Sequence, residues 1–80
     1  MANNFDLKDF VNIGEESYLI STVDLYFAID GCPYETMIFS YGKQKKSVYC
    51  RRYKTTREAI AGHNEVLDAM RKGSKIWEPL

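Results

Sequence analysis

The sequence predicts an α+β fold: a three-stranded antiparallel meander with one C-terminal helix packed on one face and a short N-terminal helical segment. Between residues 18 and 54, three segments rich in β-branched and aromatic residues alternate with short polar turns. From Thr55 onward, a helix-start signature precedes an apolar stripe with helical spacing. We expect one domain, 1–80, because a hydrophobic content of 45% is enough for a single core.

The first predicted element is a short helix over residues 5–13. Its apolar side chains recur near helical spacing: Phe5, Leu7, Phe10, Val11 and Ile13. Gly14 then ends the segment, because glycine commonly terminates helices.

The sheet is predicted over residues 18–54. Its three strands cover residues 18–29, 34–41 and 47–54. Asp30-Gly31 suits the positive φ angles of a tight hairpin turn, and pairing across it sets residues with an odd sum of numbers opposite each other. A five-residue turn, 42–46, fixes the orientation of the third strand, whereas a four-residue turn would flip it over.

On this register the sheet has an aliphatic face and an aromatic face. The aliphatic face, the expected seat of the helix, carries Val23, Leu25, Phe27, Ile29, Tyr34, Thr36, Ile38, Val48 and Cys50. The aromatic face carries Tyr26, Met37, Phe39, Tyr41, Tyr49, Arg51 and Tyr53. Three interpretations of the aromatic face stay open: it is covered by the Phe5/Phe10 segment or the Trp77 tail, it is a homodimer interface, or it stacks on bases.

The C-terminal helix is predicted over residues 56–72. Thr55 and Glu58 match a capping box, in which each side chain bonds the backbone N–H of the other residue. Gly73 suits the position that follows a helix end, and residues 74–80 form a tail.

The chain lacks the residue sets that catalysis, cofactors or metals require. His63 is the single histidine and lies on the apolar stripe of the helix, where we expect a packed residue. Cys32 and Cys50 are expected roughly 20 Å apart, too far for a disulfide, so both are predicted to be free thiols. We therefore predict a protein that is not an enzyme and has no catalytic, cofactor-binding or metal-binding residue.

The strongest functional pattern is a polarised distribution of charge. Residues 43–57 hold seven basic residues and no acid, whereas residues 1–42 carry a net charge of −6 and residues 58–80 carry −1. Polarised charge bears on the choice of partner. The predicted partner-binding residues are Lys43, Lys45, Lys46, Tyr49, Arg51, Arg52 and Tyr53.

This basic run has one structural and two functional interpretations. Its lysines can blunt an exposed strand edge or pair with the acids of the same chain. Against an acidic protein surface the run would steer association. Against nucleic acid it would contact phosphates, with Tyr49, Tyr53 and Arg51 stacking on bases. We favour a protein partner, because the acidic first half of the chain would repel phosphate.

The sequence also predicts a cytoplasmic protein without a membrane contact. Its opening stretch, MANNFDLKDF, lacks the basic start and apolar run of a secretory signal. No apolar segment approaches the roughly 18 residues that are needed to span a bilayer.

A block of residues resembles a pattern in small phage and prophage proteins of Gram-positive bacteria. In that pattern an ETM strand precedes an RY-x-T-x-x-E-A-x-x-G-H joint between a strand and a helix. The matching residues are Tyr34 to Phe39, Arg52, Tyr53, Thr55, Glu58, Ala59, Gly62 and His63. The resemblance implies a small phage protein in the host cytoplasm or the virion and brings no agreed activity. A non-catalytic accessory factor that binds and modulates a host or phage protein, such as an inhibitor of a bacterial defence system, fits these observations.

Overall fold

The structure, a computed structural model, describes residues 5–42 and 45–78. It contains four strands and one helix in the order β1 (Asp6–Ile13), β2 (Glu16–Ile29), β3 (Cys32–Tyr41), β4 (Lys45–Tyr53) and α1 (Thr56–Arg71). The strands form one antiparallel sheet in the order β1-β2-β3-β4, and α1 packs on one face of it. The predicted α+β class, with an antiparallel sheet and a C-terminal helix, is confirmed. The sheet has four strands rather than three.

The predicted N-terminal helix over residues 5–13 is wrong, because this segment forms strand β1. Its apolar residues fit strand alternation as well as helical spacing, with Leu7, Val11 and Ile13 on one face. Gly14 has a φ angle of 63°, which permits a two-residue turn that pairs all of β1 with β2. Hydrogen bonding to β2 therefore decides the conformation of a segment too short to be a stable helix alone.

The hairpin turn between β2 and β3 is confirmed, but the register beyond it differs from the prediction. Asp30 and Gly31 have φ angles of 52° and 77°, as a type I′ turn requires. The next pair along the ladder joins Asp24 to Tyr34, so four residues of β2 stand opposite one residue of β3. That residue is Pro33, which has no N–H to donate, and β2 bulges at this point.

The bulge reverses the faces of β2. Val23, predicted on the helix side, pairs with Glu35 on the opposite face. The β2 residues that lie beneath α1 are instead Tyr18, Ile20 and Thr22. Leu25 and Phe27 lie in the bulge itself, where Phe27 is 61% exposed, and Ile29 pairs with Cys32 beyond it. The predictions for Tyr34, Thr36 and Ile38 are confirmed, because β3 keeps these residues on the helix side.

Beyond Val48, strand β4 shows the opposite faces from the prediction. Tyr41 pairs with Lys45, so the five-residue turn over 42–46 is not formed, and a bulge at Val48 moves the register by one residue. Val48 packs against the core as predicted, but beyond it Tyr49, Arg51 and Tyr53 lie on the helix side and Cys50 lies on the opposite face. Three residues predicted on the aromatic face are therefore beneath or beside α1.

The core lies between the sheet and α1. Its buried apolar side chains are Val11, Tyr18, Ile20, Ile38, Val66, Leu67 and Met70. Trp77 closes one end of this core, with its ring 5.0 Å from that of Tyr18. Trp77 therefore does not cover the other face of the sheet.

Both ends of α1 follow the sequence signals. The predicted capping box of Thr55 and Glu58 is present. Gly73 has a φ angle of 90°, and its N–H donates to the Met70 carbonyl while the next N–H donates to the Ala69 carbonyl. This pair of hydrogen bonds is a Schellman motif. Among the described residues, no helix combines the length and the apolar character that crossing a membrane requires.

Candidate interaction surface

The helix side of the sheet holds a buried polar network centred on His63. The imidazole is 1% exposed, with Nε2 2.8 Å from Asp9 Oδ2 and Nδ1 2.6 Å from Thr22 Oγ1. Thr22 is hydrogen-bonded to Thr36, and the Tyr53 hydroxyl donates to Thr36 Oγ1 over 2.9 Å. The network therefore links α1 to all four strands.

The donor and acceptor roles in this network follow from its two ends. The Asp9 carboxylate accepts from Nε2 of His63, and the Tyr53 hydroxyl donates to Thr36. With Nδ1 of His63 as an acceptor, Thr36 donates to Thr22 and Thr22 donates to His63, so each threonine hydroxyl donates one hydrogen bond and accepts one. Among the described residues, no buried side-chain nitrogen or oxygen lacks a partner.

The order Asp9, His63, Thr22 has the sequence of groups found in hydrolytic triads, but its geometry serves packing. Thr22 and Thr36 are both 0% exposed, so no substrate carbonyl can reach either hydroxyl. The prediction that His63 is a packed helix residue is confirmed, and both of its ring nitrogens are hydrogen-bonded. Asp9 was missed as its partner because residues 5–13 were assigned to a helix.

Close contact at Gly62 holds the same region together. A Cβ atom added to Gly62 would lie 2.3 Å from Cε1 of Tyr53, so only glycine lets α1 approach β4 this closely. The Tyr53 ring is 4% exposed, and its burial raises the pKa of the phenol.

Four of the predicted partner-binding residues lie in β4 beyond its bulge, where each packs against the core or α1 or forms an ion pair. Tyr49 packs half-buried against the core, and Tyr53 lies beneath Gly62. Arg51 forms an ion pair with Glu65 at 3.3 Å on the helix side, and Arg52 forms one with Glu35 at 3.0 Å on the opposite face. Strand alternation therefore separates the two arginines, and the acids of the same chain partly neutralise them.

The remaining three predicted residues are the lysines before the bulge. Lys43 lies outside the described residues, whereas Lys45 and Lys46 are exposed at the start of β4. Lys45 Nζ lies 5.0 Å from the centre of the Phe39 ring and 5.5 Å from that of Tyr41. Within residues 5–42 and 45–78, no carboxylate forms an ion pair with Lys45.

These rings belong to the sheet face away from α1, here called the open face. Phe10 stands in one row with Leu19 and Phe39, and its ring centre is 6.3 Å from that of Tyr41. Phe10 is 71% exposed and Tyr41 is 40% exposed. We call Phe10, Phe39, Tyr41 and Lys45 the aromatic–lysine patch.

Neither segment predicted to cover an aromatic face does so in the part of the chain that the structure describes. Trp77 packs on the helix side, Phe5 packs edge-on against Tyr34 at 5.4 Å, and Phe10 is itself part of the open face. Sequence reasoning missed Phe10 as a surface residue, although its polar neighbours Asp9 and Asn12 were a signal for an exposed strand.

The cysteines offer no activated nucleophile. Cys32 and Cys50 are both free thiols. Burial raises the pKa of the Cys50 thiol, and its hydrogen bond to Glu35 adds to this effect, so the thiol stays protonated at neutral pH. No group of three or more His, Cys, Asp or Glu residues in the described ranges could hold a metal ion.

Comparisons of this chain with protein-family models, with curated proteins and with solved structures found no match. The inference of function therefore depends on the geometry and on the sequence pattern described above.

Proposed function

We propose that this chain is a non-catalytic interaction protein that binds an acidic surface of another protein through the aromatic–lysine patch. The observation that carries this proposal is the exposure of Phe10 and Tyr41 on a sheet face that α1 and Trp77 leave uncovered. Exposed aromatic residues that lie together are enriched at protein interfaces.

The electrostatics of the patch support an acidic partner. Lys45 lies over two rings and has no carboxylate of the described chain beside it. A partner carboxylate that reached this ammonium group would form a charge-assisted hydrogen bond while neighbouring apolar groups bury the rings. The other charges of the open face are already paired, Lys8 with Asp6 and Arg52 with Glu35.

We further propose that the protein is a phage accessory factor that acts in the host cytoplasm by occupying a surface of a host or phage protein. The resemblance of the block from Tyr34 to His63 to small phage proteins supports this origin. Inhibitors of bacterial defence systems act in this manner, and a small domain with an exposed aromatic patch suits that role.

A nucleic-acid-binding module is the second candidate. An open sheet face with aromatic rings and a lysine is the kind of platform on which single-stranded bases stack. The platform would use Phe10, Phe39 and Tyr41, since Tyr49 and Tyr53 are packed against the helix side. Asp6 and Glu35 on the same face weigh against a phosphate backbone.

Capture of partners by the tagged chain from infected cells tests the proposal. Phe10→Ser should lower the affinity for a captured protein by roughly 5- to 30-fold, because burying a ring of this exposure is worth about 1–2 kcal/mol. Lys45→Glu should weaken the same complex. The matched controls are Phe27→Ser, at a ring 61% exposed in the distant hairpin, and Lys72→Glu, at the exposed lysine that caps the C-terminal end of α1.

Equal yield of each partner with all four variants would refute the assignment of the patch. Salt-dependent binding of single-stranded oligonucleotides that Phe10→Ser abolishes would favour the second candidate. Light scattering gives the remaining outcome: a wild-type dimer that Phe10→Ser converts to a monomer would assign the patch to self-association.

A further inference from the structure

A groove runs along the outer edge of β4, between this strand and α1. It consists of two adjoining cavities of about 430 Å³ and 200 Å³. Arg51 and Glu65 line both cavities, and their ion pair lies between them. The smaller cavity is lined by Tyr49, Val66, Ala69 and Ile76, and the larger one includes Tyr53, Lys54 and Gly62.

The strand beside this groove has an unused edge. β4 pairs with β3 on one side, and among the described residues no backbone hydrogen bond reaches its other side. The bulge at Val48 interrupts the ladder, so the regular part of the edge extends from Tyr49 to Tyr53. An unpaired edge presents backbone N–H and C=O groups that can bind an added strand.

We propose that this groove binds an extended, acidic peptide segment of another protein by strand addition to β4. In an extended ligand every second side chain points to the same side. One such side chain, apolar, would lie in the cavity beside Tyr49, and a carboxylate two positions away would bind Arg51. The ligand therefore carries an apolar residue and an acidic residue separated by one position.

The Arg51–Glu65 ion pair supports the binding of a ligand carboxylate to Arg51. The Glu65 side chain is 71% exposed and that of Arg51 is 41% exposed, so the pair contributes little to stability and exchanges readily. Arg51 is held in place independently, because its guanidinium lies 5.2 Å from the centre of the Tyr53 ring. Glu65 thus marks the position that a ligand carboxylate would take.

The charges around the groove favour a negatively charged ligand. β4 contains no acidic residue, and in the larger cavity three basic lining residues outnumber two acidic ones: Arg51, Arg52 and Lys54 against Glu58 and Glu65. This site is separate from the aromatic–lysine patch, which lies on the other face of the sheet, so either proposal can fail without the other.

The test uses fluorescent eight-residue peptides in which valine alternates with threonine and one central valine is replaced by aspartate. Two versions place the aspartate before or after the central apolar residue, because an added strand can run parallel or antiparallel. In a third peptide the aspartate is shifted by one position, so that it replaces a threonine. The threonine side chains of the bound peptide point away from the groove, and the aspartate would then do so as well. Anisotropy at low salt should show tighter binding by one of the first two than by the third.

Two substitutions in the protein should change the affinity for the peptide in opposite directions. Arg51→Ala should weaken binding by roughly tenfold or more, because a hydrogen bond to a charged group is lost. Glu65→Gln should strengthen binding by removing the competing carboxylate. Asp68→Asn, an equal charge change at an exposed position of α1 outside the groove, should have a smaller effect. Thermal melts of each variant establish that it is folded.

Peptides with methylated amides test the backbone hydrogen bonds between the ligand and β4. Methylation of the peptide amides of one row should abolish binding, whereas methylation of the other row should not, because only alternate N–H groups face the strand edge. Equal effects of the two rows, equal affinity for the shifted aspartate, an unchanged affinity in Arg51→Ala, or no binding at about 1 mM peptide would overturn the proposal.

Discussion

Replacing Gly62 with alanine should destabilise the fold, against the intrinsic preference of helices for alanine. In an exposed helix interior this substitution stabilises by about 1 kcal/mol. Here the added Cβ would lie 2.3 to 2.5 Å from two ring carbons and the hydroxyl oxygen of Tyr53, whereas an ordinary contact begins at 3.4 Å. The ring would therefore have to retreat by about 1 Å, and it is 4% exposed.

The cost of this retreat can be estimated from two contributions. Forcing an extra methyl group into a packed core costs about 1–3 kcal/mol. Displacing Tyr53 also lengthens its 2.9 Å hydrogen bond to Thr36, which contributes about 1 kcal/mol. After the helix-propensity gain is subtracted, Gly62→Ala should lower the free energy of unfolding by about 1–3 kcal/mol and the melting temperature by roughly 5–20 °C.

Urea unfolding followed by circular dichroism measures this change. Ala61→Gly, at the exposed neighbouring position, measures the difference in helix propensity between alanine and glycine in the same helix. This substitution should also destabilise the fold, by about 1 kcal/mol. In a Tyr53→Val background the clash is gone, so Gly62→Ala should become neutral or stabilising. A Gly62→Ala protein as stable as the wild type, or an equal loss in both backgrounds, would refute the reasoning.

Two further predictions concern the polar network and the tail. Thr36→Val should lower the free energy of unfolding by about 1–3 kcal/mol, because the Tyr53 hydroxyl loses its acceptor, and Thr36→Ser should recover most of the loss in the same urea titration. The hydrogen bond from Lys75 lowers the pKa of Glu16. The link between tail and sheet is therefore complete above the ordinary carboxyl pKa and is lost as the pH falls through the lowered value. Fluorescence of Trp77, the single tryptophan, should report this acid transition, and Glu16→Gln should remove it; a transition that persists in Glu16→Gln would count against the link.

Elements with local signals were predictable from the sequence. The capping box of Thr55 and Glu58, the stop at Gly73 and the turn at Asp30-Gly31 all depend on residues within a few positions of one another. Each signal specifies its own backbone conformation, and the structure follows all of them.

The register of the sheet was not predictable in this way. The bulge beside Pro33 and the bulge at Val48 each displace a strand relative to its neighbour. The sequence of β4 contains no residue that predicts the bulge at Val48. Since side chains alternate, each displacement by an odd number of residues moves a whole strand to the other face. The assignment of Tyr49, Arg51 and Tyr53 to an exposed aromatic face failed for this reason alone.

The candidate site depended on the same non-local information. Phe10 reaches the open face because β1 is a strand, and this in turn places Asp9 against His63, 54 positions away. The basic run is visible in the sequence, but pairing on the sheet decides which of its charges remain free. Lys45 acquires aromatic neighbours, whereas Arg51 and Arg52 acquire carboxylates.

The two faces of the sheet differ in the groups that they leave unsatisfied, and the proposed binding surfaces follow from this difference. On the helix side, the polar side chains of the buried network are hydrogen-bonded to one another, and the apolar residues fill the core. A partner could bind there only by breaking contacts that the fold requires. Within the residues that the structure describes, the open face and the edge of β4 retain exposed rings, an ammonium group without a paired carboxylate and unpaired backbone groups. A partner that covers these groups would leave the hydrogen bonds of the buried network intact.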